Sequence, residues 1–154
     1  MEGSEKMSEH QFVLYTDGGS RAGRTRKAAA AAILMGGRGM TDEKRIIDKK
    51  SRFLGNKTNN QAEYHALIMG MELAKQKSAR VLICISDSEL MIKQLRGEYR
   101  VKNKELRVLF RKAKELESDF KLVIYAHVKR EHPMIVKADT LVNEVLDEQQ
   151  NRSM

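Results

Sequence analysis

"FVLYTDGGSRAG", residues 12–23, drives an apolar run of strand character into Thr16, Asp17 and two glycines. An Asp-Gly pair is among the commonest turn signals, so a turn that closes the strand accounts for it. A carboxylate at the inner end of a buried run is costly, however, unless something nearby needs its charge. Working outward from this stretch, the choice rests on where the other acids of the chain fall.

The 154 residues suffice for one domain with a real core, and 41% hydrophobic with 32% charged residues describes a globular chain. Residues 1–10 read as a polar tail and 11–150 as the folded domain. No apolar run approaches the ~20 residues of a membrane span, and no secretory signal opens the chain. Cys84 is the single cysteine, which excludes an internal disulfide and fits a reducing, cytoplasmic setting. The net charge of +8, from 29 Lys and Arg against 21 Asp and Glu, favours a polyanionic partner such as nucleic acid. No obligate protein partner is evident.

The hydrophobic period changes repeatedly along the chain. Residues 11–17 end a first strand on Asp17. The run "AAAAAILM" at 28–35, bounded by glycines, reads as a strand that neighbours approach closely. Residues 43–54 read as an exposed edge strand blunted by lysines. Residues 60–77 form the clearest helix, with Asn59 or Asn60 as its N-cap. "RVLICIS" (80–86) reads as a strand covered on both faces. A short helix from Ser88 to Leu95 closes at Gly97, a second helix lies between Asn103 and Ser118, a strand spans 120–128, and a C-terminal helix carries Ala138, Leu141, Val142, Val145 and Leu146. The class is α/β. Three antiparallel strands precede strands that run parallel to the first, in one five-stranded mixed sheet flanked by helices.

Asp17 and Asp87 then end parallel strands at the same sheet edge, the usual place for a site in such folds. Glu63 shares the buried stripe of its helix with Leu67, Gly70 and Ala74, and Asp139 shares that of the last helix with Val142 and Leu146. Acids in a first helical turn also oppose the macrodipole, and Asp87 before Ser88 suits an N-cap. Four converging carboxylates would repel one another, and they need cations to stay charged. The donors are all oxygens and no His/Cys cluster is present, so Mg²⁺ or Mn²⁺ is the fitting cation.

"YTDGGS", "TNNQAEYHALIMGMELA", "ISDSELMIKQLRGEYRVKNKEL" and "HVKRE…KADTLVNEVLDE" together resemble the type 1 ribonuclease H family, in its compact, reverse transcriptase-like branch. The resemblance spans residues 11–148. It implies an endonuclease that cuts the RNA strand of RNA–DNA hybrids with two metal ions, leaving 5′-phosphate and 3′-hydroxyl ends. By motif position Asp17, Glu63, Asp87 and Asp139 match its metal-binding catalytic carboxylates. Asn59 and Asn60 match contacts to the hybrid's minor groove, and Thr58 and Asn103 a pocket for a DNA-strand phosphate. Gly18 falls beside the first aspartate as a further substrate contact.

The chain departs from the family pattern in places. "SRAGRTRKA" lacks the usual Gly-Asn-Pro-Gly loop, so Arg21, with Arg24 and Arg26, stands in by charge. There is no tryptophan, which leaves Tyr99 to pack against a DNA sugar. The last loop, "HVKREHPMIVKAD", offers both Glu131 and His132 as the mobile group ahead of the final aspartate. Basic residues Lys93, Arg96, Arg100, Lys102, Lys104 and Arg107 suit backbone electrostatics, or equally a solvated helix face. The alternatives are a nuclease that also takes double-stranded RNA and a non-catalytic binding module of the same fold.

Overall fold

A computed structural model of the protein describes residues 10–36 and 45–152. In chain order the elements are β1 (Gln11–Arg21), β2 (Lys27–Gly36), β3 (Arg45–Gly55), α1 (Asn59–Gln76), β4 (Val81–Ser86), α2 (Glu89–Leu95), α3 (Lys104–Glu117), β5 (Leu122–His127) and α4 (Pro133–Arg152). The strands lie in the order β3-β2-β1-β4-β5. β1, β2 and β3 are antiparallel neighbours, whereas β4 and β5 run parallel to β1 after helical crossovers. This is the mixed five-stranded sheet expected. The polar tail through Glu9, and Gly37, Gly39 and the start of the expected third strand at Glu43, lie outside the described residues.

The alanine run is the hinge of the architecture. Ala30 and Ala32 face one side of the sheet, with Phe12, Leu14 and the residues of α1, α2 and α3. Ala29, Ala31 and Ile33 face the other, against Ala138, Val142 and Leu146 of α4. Alanine's helix propensity yields here to a position between two strands, where small side chains let a helix approach on each face. At Gly70 of α1 the approach is close enough that a Cβ would stand 2.6 Å from Leu14 Cδ1.

Three expectations change in detail. β1 does not end on Asp17; it continues to Arg21, with Asp17 opposite Ala31 of β2, and the chain reverses only at 22–26. β4 is covered on one face only. Leu82, Cys84 and Ser86 are buried while Val81, Ile83 and Ile85 are half-buried, because α4 lies over β1, β2 and β3. The N-cap of α1 is Thr58, not Asn59 or Asn60. Its hydroxyl accepts from Gln61 N–H at 3.1 Å and Gln61 Oε1 accepts from Thr58 N–H at 2.8 Å, a reciprocal capping box.

Candidate active site

The parallel pairing of β1 with β4 stops at Tyr15 opposite Ile85. Two residues further, Asp17 is still held by β2 on one edge, but its other edge faces an open cleft. Asp87 follows the last residue of β4 and so stands at the same opening. Glu63 of α1 completes the group: one oxygen from each of Asp17, Glu63 and Asp87 lies within 4.8 Å of the others. Asp139 borders the cleft from α4, which lies across β1, but it is exposed rather than on the buried stripe, stands outside the group of three, and its Oδ2 accepts from Asn143 Nδ2 at 3.1 Å. The cleft measures ≈ 330 Å³. Neither Glu63 nor Asp139 is in the first turn of its helix, so opposition to the macrodipole explains neither.

Close backbone packing sets this geometry. Gly18 N–H donates to Glu63 Oε1 at 2.8 Å. A Cβ on Gly18 would stand 2.2 Å from the Ala62 carbonyl carbon, so only glycine lets β1 and α1 meet here. Asn59, one turn before Glu63 on the same helix face, accepts from Ser20 N–H at 2.8 Å and Ser20 Oγ–H at 3.1 Å.

The site holds more negative charge than the fold alone tolerates. Asp17 is pushed up to about 8, first by burial, then by the charges of Asp87 and Asp139 and the hydrogen bond with Asp139, against the opposing charge of Arg130. Glu63 is raised well above the usual carboxylate range by burial and then by Asp17 and Asp87, with the Gly18 N–H and Arg130 acting the other way. Burial also raises Asp87, partly offset by Arg130. Acids whose proton affinity is raised by burial and by one another, presenting only oxygens within one ion's reach, fit a hard divalent cation.

The other expected residues are placed as follows. Gly18 and Arg21 line the cleft, but the Arg21 guanidinium is engaged by α4, with Asp147 at 2.7 Å and Asn143 at 3.1 Å. Asn60 is exposed outside the cleft. Thr58 lies on the other side of α1, in a groove with Lys57, Gln61, His65 and Glu105. Asn103 caps α3, its Oδ1 accepting from Leu106 N–H at 2.9 Å. Tyr99 is exposed away from the carboxylates, with the Lys93 ammonium 4.9 Å from its ring centre. Glu131 and His132 do not line the cleft; Glu131 is exposed. His132 is half-buried, its Nδ1 accepting from Met134 N–H at 3.1 Å and its ring 5.2 Å from that of Tyr15. Among the basic residues, Lys93 pairs with Glu89 and Arg96 with Glu98, while Arg107 donates to the Val101 and Lys102 carbonyls.

Sequence reasoning missed Arg130. Its Nε is 3.9 Å from Asp87 Oδ2 and its side chain is otherwise exposed over the cleft. The only signal was its place among "VKRE", where nothing separates it from Lys129.

Comparison with known proteins agrees with this geometry. The family model described as reverse transcriptase-like matches residues 15–145. The bifunctional protein Rv2228c of Mycobacterium tuberculosis is 32% identical over 137 residues, which are 89% of this chain and 36% of that protein. The chain thus spans about a third of the length of that relative. The solved N-terminal RNase H domain of Rv2228c superimposes with a TM-score of 0.83 at 29% identity, covering 94% of this chain and 99% of that one. RNase H1 from the halophilic archaeon Halobacterium salinarum gives a TM-score of 0.80 at 33% identity, covering 90% and 98%. LC11-RNase H1, solved in complex with an RNA/DNA hybrid, gives 0.79 at 28% identity, covering 90% and 99%. The chain belongs to the type 1 ribonuclease H family, in its reverse transcriptase-like branch.

Proposed function

We propose that residues 11–150 form a cytoplasmic endoribonuclease that hydrolyses the RNA strand of RNA–DNA hybrids and leaves 5′-phosphate and 3′-hydroxyl ends. The observation that carries the reading is the meeting of Asp17, Glu63 and Asp87 oxygens within 4.8 Å at the open end of the parallel strands. Asp139 borders the same cleft. A binding module would gain nothing from buried negative charge where a polyanion must lie.

Bound to these carboxylates, Mg²⁺ or Mn²⁺ would activate water and stabilise the departing oxygen of an in-line phosphoryl displacement. The chain's own contributions are positional. Asp17, buried between Asp87 and Asp139, is the natural shared ligand. Gly18 fixes the rotamer of Glu63 through its N–H. Arg130 supplies exposed positive charge beside Asp87, where a phosphate oxygen would arrive. The first turns of α1 separate the carboxylate cleft, with Asn59 and Glu63, from the groove holding Thr58 and Gln61. A two-stranded ligand straddles this ridge with its RNA strand over the acids and its DNA strand over Thr58. Asn59 and Asn60, at the crest, suit contacts to sugar hydroxyls in a wide minor groove, which distinguish a hybrid from duplex DNA. Among the described residues no helix is long and apolar enough to cross a membrane.

The test is incubation of the protein with labelled hybrid, double-stranded RNA and duplex DNA in Mg²⁺ or Mn²⁺, beside Asp87→Asn. Cutting confined to the hybrid's RNA strand and lost by ~10³-fold or more in the folded variant is expected. Equal cutting of double-stranded RNA would overturn the hybrid selectivity, and tight hybrid binding without cutting in either metal would overturn the activity.

A further inference from the structure

The two edges of the sheet are built differently. β3, at one edge, carries Arg45, Lys49, Lys50 and Arg52, the kind of charge that keeps an open edge from pairing. β5, at the other, reads LVIYAH, with no lysine, arginine or proline. Its bonds to β4 show which backbone groups point outward. Leu122 N–H donates to the Arg80 carbonyl at 3.3 Å and Val128 N–H to the Ser86 carbonyl at 3.0 Å. Alternate residues of a parallel ladder bond to the same neighbour, so the even positions turn to β4 while Val123, Tyr125 and His127 turn outward. Arg96 Nε, donating to the Tyr125 carbonyl at 2.9 Å, meets one of these groups from outside. Among the described residues no strand takes the rest.

This edge separates two surfaces of different chemistry. On the face that α4 leaves uncovered, Leu122 is 51% and Ile124 44% exposed. They lie opposite Val81 and Ile83 of β4, both half-buried. On the helix face a groove of ≈ 640 Å³ runs beside the strand, where Arg96, Lys114 and Lys121 face one acid, Glu117. Glu117 Oε1 accepts from Tyr125 Oη–H at 2.7 Å and from Lys114 Nζ at 2.9 Å, so its charge is in use. Arg96 lies 3.8 Å from Glu98, and Lys121 has no carboxylate partner among the described residues.

We propose that the outer edge of β5 docks an extended acidic segment of another protein, which adds to the sheet as a further strand. Side chains of such a strand alternate between the two faces. Those on the helix face enter the cationic groove, and those on the other continue the surface of Leu122 and Ile124. The segment that fits therefore alternates acidic with apolar residues, its main chain bonded to Val123 and Tyr125. A second copy of this chain fits worse. Two-fold pairing of β5 with itself joins the two grooves and sets Arg96, Lys114 and Lys121 of both copies against one another. No residue of the groove lines the carboxylate cleft, so a docked partner leaves the cleft open and the inference stands apart from the hybrid reading.

The test measures binding of a fluorescein-labelled octapeptide that alternates glutamate with valine, by anisotropy, beside one that alternates lysine with valine. Only the glutamate peptide should bind. Strand addition uses the N–H groups of one alternating set. N-methylation of the glutamates and of the valines, in two further peptides, should therefore abolish binding in one and spare it in the other. Lys121→Glu, at an exposed position, should weaken the glutamate peptide by about fivefold. Circular dichroism melting confirms that the variant is folded. No binding of the glutamate peptide below ~1 mM, equal binding of the lysine peptide, or the same effect of both N-methylations overturns the site. A dimer seen by sedimentation that Ile124→Lys dissolves overturns the acidic occupant and gives the edge to a second copy.

Discussion

Gly18 N–H donates to Glu63 Oε1 at 2.8 Å while the Gly18 Cα sits against the Ala62 carbonyl, where a Cβ would come within 2.2 Å of backbone. The glycine that follows the first aspartate thus acts through packing: it seats the helix that carries the second carboxylate. Gly18→Ala must push α1 away from β1, since the clash is with backbone and not with a yielding side-chain tip. Overpacking of this kind costs about 1–3 kcal/mol. The expected outcome is a lower melting temperature together with a cleavage rate reduced tenfold or more, about the cost of misplacing one group by a fraction of an ångström. A variant that melts and cuts like the parent would show that the contact does not set the geometry.

Asp17 carries a pH dependence of stability with a definite sign. Its folded value of about 8 lies above the ordinary carboxylate value, so the metal-free fold binds more protons than the unfolded chain in between. Stability falls as pH rises through that window and the full cost is present above it. Asp17→Asn removes the buried charge. Metal-free Asp17→Asn should therefore be more stable than the parent at pH ~8, by an amount on the order of a few kcal/mol, with the gap closing towards pH ~4. Mg²⁺ should stabilise the parent more than the variant. Denaturant melts at several pH values check this, and a gap that widens on acidification would refute it.

The element order was readable because period and punctuation change cleanly: helix stripes at 60–77 and 103–118, and apolar runs of strand length at 80–86 and 120–128, which the structure trims to Val81–Ser86 and Leu122–His127. Asp17, Glu63 and Asp87, the three acids whose oxygens the structure gathers, were readable from a strand end, a helix stripe and a second strand end, whereas Asp139 is exposed at the cleft's border and not on the buried stripe that pointed to it. What escaped is tertiary. Two glycines after Asp17 looked like a strand end, yet they pair with Ala29 and Ala30 of β2, and the strand tolerates them because its partner edge holds it. Thr58, Asn59 and Asn60 can all cap a helix, and only Gln61 at the third helical position selects Thr58. Arg130 became visible only when the chain folded the loop before α4 back over Asp87.

Arg130 opposes the proton affinity of Asp17, Glu63 and Asp87 alike. Without its charge all three acids hold protons more tightly, so Arg130→Ala should move the acidic limb of the pH–rate profile to higher pH. Arg130→Lys keeps the charge and should restore the limb while recovering only part of the rate, since an ammonium lacks the guanidinium's fork. The measurement is the initial rate of hybrid cleavage from acid to neutral pH at saturating metal. A limb that stays in place in Arg130→Ala would remove the residue from the electrostatics of the site.

Thr58 combines a structural task with the proposed phosphate contact, and two substitutions separate them. The capping box uses its hydroxyl as acceptor for Gln61 N–H. Thr58→Ala should cost ~1 kcal/mol of stability through the lost cap, and it also removes the hydroxyl offered to the DNA strand. Thr58→Asp keeps a capping oxygen and adds negative charge at a helix N-terminus, which restores or raises thermal stability. The same charge repels a phosphate. Hybrid binding should therefore weaken most in the variant that melts highest, with KM for the hybrid rising further in Thr58→Asp than in Thr58→Ala. If the two variants instead rank alike in melting temperature and in KM, Thr58 serves the helix alone.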